Sequence, residues 1–281
     1  LSTYACARHD LTDAQRELLE PLLPPGVPVA GHDQRHAADN QSRGAGATYH
    51  PTTGPGGGPC ALYRTWQTGE VWEHIEAALV THADAAGKVG WRMSVDSTTC
   101  RAHVHAAGAR KESVRSWWRG SPRTTPWEPL GAGGPPRTRA AVDAACGMLV
   151  LLLTAGQAAD CPMMIPVLEE IRVAHPGPGR PRTRPQMVLA DKAYSSRANR
   201  DWLRNHHIQA AIPVKADQAA HRRAGGSRGG RPPAFDPIAY KDRNAVERCF
   251  GQIKQNRAMA TRYDKLAVRY QATTHIASTD H

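Results

Sequence analysis

The sequence is short of what a membrane or secreted protein needs. Phenylalanine occurs twice in 281 residues, at Phe235 and Phe250, and aromatic residues make up only 6%. The longest strongly apolar run is residues 148–153. A helix crossing a membrane needs roughly 20 such residues, so no membrane partner is expected. No basic segment followed by an apolar one opens the chain; a secretory signal is therefore not expected, and a cytoplasmic, nucleoid-associated location is. The six cysteines, at 6, 60, 100, 146, 161 and 249, contain no C-x-x-C pair, which excludes zinc-ribbon spacing. Such scattered thiols suit a reducing compartment and are expected to be free. Acidic residues are also in deficit, 25 against 36 basic ones, for a formal net charge of +11. That balance argues against an acidic binding protein and favours a polyanionic partner.

What is present is organised unevenly. Residues 11–23 read as a helix, with Thr12 and Gln15 at capping-box spacing and Pro24 and Pro25 stopping it. Residues 26–60 hold no Leu, Ile, Met or Phe and only two Val. They cannot bury enough apolar surface to offset ordering entropy and are expected to be disordered. Val71, Trp72, Ile75, Ala78 and Leu79 then recur at helical spacing. Trp91, Met93 and Val95 alternate with polar residues, a strand expected to end at Asp96. Residues 101–139 carry eight Arg or Lys against two Glu. A strand pair is expected at 140–145 and 148–154, turning at Cys146 and Gly147. A helix follows Pro162. Residues 187–190 read as a short buried strand with Asp191 at its end. Ser196 is placed to cap a helix carrying Trp202 and Leu203, and 208–214 reads as a further strand. Residues 215–231, with five Arg or Lys, one Asp and paired glycines, read as a mobile basic loop. A strong helix is expected over 237–255.

Three acidic residues stand out by position. Asp96 and Asp191 both end expected strands, and Glu247 lies on the late helix. That helix has an apolar stripe at Val246, Cys249, Phe250 and Ile253. At about 100° per residue, Arg243, Glu247 and Lys254 fall on the stripe's edge with Tyr240 nearby. Carboxylates converging there would form a hard, oxygen-rich site of the kind Mg²⁺ prefers, and Mn²⁺ can substitute. Two such ions can clamp the attacking and leaving oxygens of a phosphoryl transfer, while neighbouring Lys and Arg hold adjacent phosphates. Each residue also has a plainer role. An Asp at a strand end is commonly a turn or cap residue, and Glu247 beside Arg243 and Lys254 also fits a solvated helix face. His103 and His105 fit a polar strand edge, and Cys249 fits the core.

The three segments that carry these residues resemble the sequence blocks of bacterial insertion-sequence transposases of the DDE class, in the insertion-sequence-five group. Residues 94–110, SVDSTTCRAHVHAAGAR, are similar to the first-aspartate block, and residues 189–197, LADKAYSSR, to the second. Tyr240, Arg243, Glu247 and Lys254 match the signature Y-x2-R-x3-E-x6-K without a gap. The resemblance covers roughly residues 8–25, 61–130 and 142–275. It implies an α/β chain with an RNase H-like mixed sheet flanked by helices at 89–281, preceded at 1–88 by a degenerate helical DNA-binding region. It implies metal-dependent cleavage of transposon ends and strand transfer, with Asp96, Asp191 and Glu247 as catalytic metal ligands. Tyr240, Arg243, Lys254, Arg101 and Lys192 would contact double-stranded DNA, both transposon ends and target, and the protein would act as a homodimer on that DNA.

The family pattern is lost at 26–60, at 131–139 and at the C-terminal end. Around 131–139 the family has a strand beside the active-site strand; here GAGGPPRTR stands instead, and proline cannot supply ladder hydrogen bonds in a central strand. Compensating frameshifts in a decayed copy would explain losses that begin and end so abruptly. The alternatives to an active enzyme are therefore a catalytically inactive DNA-binding remnant and a poorly folded translation product.

Overall fold

The computed structural model describes residues 17, 20–22, 66, 70–107, 137–154, 156, 158–264 and 267–279. The stretch expected to be disordered, 26–60, lies outside them, as do most of the helix expected at 11–23 and residues 108–136. The chain divides into two units, Leu1–Leu79 and Val80–His281. In the first, the described residues include the edge-on pair Trp66 and Trp72, with ring centroids 5.5 Å apart. Helix α1, Val71–Ala85, runs across the division. It ends at Gly87, whose φ of +69° suits a residue without a β-carbon.

The second unit is built on a mixed sheet flanked by helices. Its strands are β1 (Arg92–Thr99), β3 (Arg137–Val142), β4 (Met148–Thr154), β5 (Met187–Ala190) and β6 (Gln209–Ala211), in the order β4-β3-β1-β5-β6. β3 is antiparallel to both β1 and β4, whereas β5 is parallel to β1 and β6. A two-residue parallel ladder joins β2 (Arg101–Ala102) to β7 (Thr261–Arg262). The helices are α2 (Val104–Ala107), α3 (Asp160–Glu169), α4 (Arg197–Asn205), α5 (Ala216–Ala224), α6 (Pro237–Tyr240), α7 (Asn244–Ile253), α8 (Arg257–Ala260) and α9 (Ala267–Thr279). Three antiparallel-linked strands continued by two parallel ones is the mixed sheet of an RNase H-like fold.

Alternation along each strand gives the sheet two apolar faces. On one, Met93, Val95, Ala141, Val188 and Ala190 pack with Met164, Leu168 and Leu203 of α3 and α4. On the other, Ala140, Val142 and Met148 pack with Val246, Cys249, Phe250 and Ile253, the stripe expected on α7. A sheet covered on both faces needs strands with few exposed residues, which is why the short apolar run 187–190 forms a strand without alternating polarity. Cys249 is buried in this core, and the described cysteines 100, 146, 161 and 249 form no disulfide among the described residues.

Several expectations need correction. β1 does not end at Asp96 but runs on to Thr99. β3 starts at Arg137, inside the stretch 131–139 read as a lost strand. Its described residues pair along β1, with Asp96 opposite Ala140. β3 also stops at Val142, not residue 145. There the Asp143 carboxylate accepts hydrogen bonds from the backbone N–H groups of Ala145 and Gly147, at 2.9 and 2.7 Å, and forms the turn itself. The segment 215–231 is not a loop. Ala216–Ala224 is helical because Ala, Gln and Arg favour a helix even without an apolar stripe. A 3-10 turn, Gly226–Gly229, then packs back on it. The helix expected over 237–255 is broken by a 3-10 turn at Lys241–Arg243. Ser196 does cap α4, its hydroxyl accepting from the Asn199 N–H at 3.1 Å.

Candidate active site

The site grows from the parity of β1. Met93, Val95 and Ser97 face α3, so Ser94, Asp96 and Thr98 face α7. β5 runs parallel beside β1 with Val95 opposite Ala190. The next residue is in each case an aspartate. Asp96 on β1 and Asp191, one residue past the end of β5, are therefore neighbours, and the negative charge of Asp191 acts on Asp96. Ser94 donates its hydroxyl to the Asp242 carbonyl at 3.3 Å, and Arg92 pairs with the Asp242 carboxylate at 3.0 Å. These contacts fix the 3-10 turn against β1 and hold the start of α7 over the two aspartates.

Arg243 closes the site. Its Nη2 donates to Asp96 Oδ2 at 2.7 Å and its Nη1 to Glu247 Oε1 at 2.8 Å. Asp96 and Arg243 side chains are 22% and 19% exposed, so this contact is partly desolvated; Glu247 at 53% reaches solvent. Asp96 Oδ1 also accepts from the Ser97 N–H at 2.8 Å. Burial pushes the Asp96 carboxyl above the usual carboxylate range; the Ser97 N–H and Arg243 oppose this, and Asp191 adds to it. Burial works against the charge of Arg243, but Asp96, Tyr240 and Glu247 outweigh it and keep the guanidinium firmly protonated. Burial raises the Tyr240 hydroxyl, and the charges that act on it belong to Arg243, Asp191, Glu247 and Asp96. One tyrosine thus senses all three candidate carboxylates. Lys254, at the end of α7, donates to the Thr98 hydroxyl two residues beyond Asp96.

Of the sequence-derived candidates, Asp96, Asp191, Glu247, Tyr240, Arg243 and Lys254 gather on one side of the sheet. Lys192 follows Asp191 and is exposed. Arg101 is exposed on β2, outside the main sheet. His103 stacks on Tyr263, with ring centroids 4.8 Å apart, and the side chain of His105 is outside the described residues. The donor chemistry of the three carboxylates fits a hard divalent cation. They do not close into a cage: among the described residues no three acidic, His or Cys side chains converge to hold an ion. A guanidinium bridges Asp96 and Glu247 instead.

Sequence reasoning missed what lies behind Asp96. On the opposite face of β1, the Ser97 hydroxyl donates to Asp160 Oδ1 at 2.9 Å. Asp160 also pairs with Arg137, and with Arg139 at 3.1 Å. Arg139 is 1% exposed and donates to the Ala158 and Ala159 carbonyls as well, at 2.7 and 3.2 Å. Burial raises the nearby Tyr194 hydroxyl, with the charges of Asp96 and Asp160 adding to it. The one signal in the sequence was two arginines at alternating positions, 137 and 139, leading into the apolar residues 140–142.

Residues 188–279 match a family model described as a transposase DDE domain. The match is less than half of the chain; it includes Asp191, Tyr240, Arg243, Glu247 and Lys254 and begins after Asp96. No curated protein matches the sequence. Among solved structures, the chain is similar to the Mos1 transposase in its paired-end complex with the left transposon end, at 13% identity, over 84% of this chain and 71% of that one, with a TM-score of 0.24. Among the described residues no helix is long and apolar enough to cross a membrane.

Proposed function

We propose that this protein is a DDE transposase of the insertion-sequence-five group, acting on double-stranded DNA as a homodimer. Residues 89–281 form its catalytic domain, and residues 1–88 are a degenerate form of the helical DNA-binding region. The observation that carries the reading is the neighbouring pair Asp96 and Asp191 with Glu247 linked to Asp96 through Arg243, all but Asp96 lying within the residues 188–279 that match a transposase DDE domain.

In this reading Asp96, Asp191 and Glu247 hold divalent cations, Mg²⁺ or Mn²⁺. Such ions supply electrostatic stabilisation of the attacking and leaving oxygens. The chain's own residues do the rest. Arg243, Lys254 and Tyr240 bind and orient the phosphates on either side of the scissile one. In the first reaction a water oxygen bonds to phosphorus and the bond to the 3′-oxygen breaks, leaving a 3′-hydroxyl on the element. In the second, that 3′-oxygen attacks a phosphodiester of the target and displaces a 3′-hydroxyl there.

Purified full-length protein should nick DNA carrying the element's ends when Mg²⁺ is present, and Asp96→Ala should abolish nicking. A second reading, an inactive DNA-binding remnant, is favoured by the absence of a closed three-carboxylate cluster among the described residues. Binding that weakens steeply with salt, without cleavage in Mg²⁺ or Mn²⁺, would select it.

A further inference from the structure

The paired-glycine basic segment has no part in the site above, yet it helps to build a cavity of about 1160 Å³. α4, α5 and residues 229–234 form the walls, and five arginines, at 197, 200, 204, 222 and 231, line it with a single acidic residue, Asp201. Asp201 is already engaged, by Arg204 at 2.8 Å and Arg197 at 3.5 Å. Among the described residues no carboxylate forms an ion pair with Arg200, Arg222 or Arg231. Arg200 donates to neutral oxygens, the Ser195 hydroxyl at 3.0 Å and the Ile212 carbonyl at 2.8 Å. Burial, and then the nearby charge of Arg222, make its own charge less favourable. Like charges held together in a partly enclosed space concentrate positive potential there.

The cavity is fixed to the fold. Gln218 of α5 donates to the Ser195 carbonyl at 2.6 Å and accepts from the Ser195 hydroxyl at 3.0 Å. Gly229 sits so close to the last turn of α5 that a β-carbon there would lie 2.0 Å from the Arg222 carbonyl oxygen. Gly226 and Gly230, at φ +51° and +67°, allow the reversal. These glycines hold Arg222 and Arg231 on one rim. The opposite rim begins at Ser195, four residues after Asp191. Four residues span at most about 14 Å, roughly four phosphate steps along the axis of one DNA strand.

Building on the proposed function, we propose that this arginine-lined cavity is a second DNA contact, which grips the phosphate backbone of the duplex several nucleotides from the strand held at Asp96 and Asp191. The contact is to phosphates, so it adds affinity and register without reading sequence.

The test is arginine-selective modification of the wild-type full-length chain, read residue by residue by mass spectrometry, with and without a duplex oligonucleotide. At a DNA concentration about ten times the Kd, modification of Arg200, Arg222 and Arg231 should slow about tenfold, while Arg180 and Arg184, on the loop before β5, react at an unchanged rate. Inorganic phosphate alone should give no such protection. In parallel, the double substitution Arg222→Gln with Arg231→Gln should lower the slope of log affinity against log salt by about 2, and Arg180→Gln with Arg184→Gln should leave it unchanged. DNA bound with the three arginines unprotected overturns the proposal, as does equal protection by phosphate alone or an equal slope change in both double variants. Protection without cleavage leaves this contact standing and removes the transposase chemistry. Cleavage without protection does the reverse.

Discussion

Arg243 joins Asp96, 147 residues away in sequence, through a 2.7 Å hydrogen bond, and the same guanidinium holds Glu247 at 2.8 Å. Two of the three candidate metal ligands are thereby paired with one positive group the chain itself supplies, a single charge shared between two carboxylates.

Removing that group should be felt in stability first. Arg243→Ala leaves a half-buried carboxylate beside Asp191 with no cation, a loss of about 1.5–3 kcal/mol for a charged hydrogen bond; the exposed Glu247 arm adds little. Urea unfolding with and without excess Mg²⁺ checks it. The variant should gain more midpoint from Mg²⁺ than the wild type does. Equal gains would mean that the guanidinium and the ion do not compete for the same carboxylates.

The pocket behind β1 should show in the acid limb of stability. Burial alone would raise the Asp160 carboxyl, but hydrogen bonds from Arg137 and Ser97 and the charges of Arg137 and Arg139 hold it below the usual range. A carboxyl whose pKa is lowered by folding contributes stability above its unfolded value, about 4, and loses it as pH falls through the lower folded value. Asp160→Asn should therefore be destabilised by about 3–5 kcal/mol at neutral pH, with Arg139 left buried and unpaired. The gap to wild type should close below about pH 4. Denaturant midpoints from acid to neutral pH give the comparison.

Ser196→Ala removes the cap of α4 and should cost about 0.5–2 kcal/mol. Thermal unfolding would show this, with little change in the spectroscopic signal of the folded state.

Gly229→Ala forces a β-carbon against the Arg222 carbonyl and should loosen α5 without disturbing the sheet. Hydrogen exchange should speed up across 216–231 and stay slow at 187–190. Protection unchanged in both segments would show that the turn accommodates the methyl group.

How much of this was readable from the sequence depended on where each residue finds its partner. β5 and Asp191 were legible because residues 187–190 are uniformly apolar and end on a charge. The cap at Ser196 was legible because its partner, Asn199, is three residues away. β3 was not, because Arg137 and Arg139 look like solvated loop residues until Asp160, more than twenty positions on, accepts them. The far end of β1 was hidden for the same reason, since Ser97 and Thr98 depend on Asp160 and Lys254. α5 carries no apolar stripe, so only its composition argued for a helix. The convergence of Asp96, Tyr240, Arg243 and Glu247 came from a family signature; the spacing alone placed Arg243, Glu247 and Lys254 on one helix edge with Tyr240 nearby, and said nothing of the strand beneath.

Ser97 makes β1 a two-sided lever. Its amide grips Asp96 on the cleft side, while its hydroxyl is anchored to Asp160 beneath the sheet. A change in the polypeptide entering α3, on the face of the sheet away from α7, can therefore tilt Asp96 across the thickness of a single strand. Variants that lose activity with an intact cleft should be sought there.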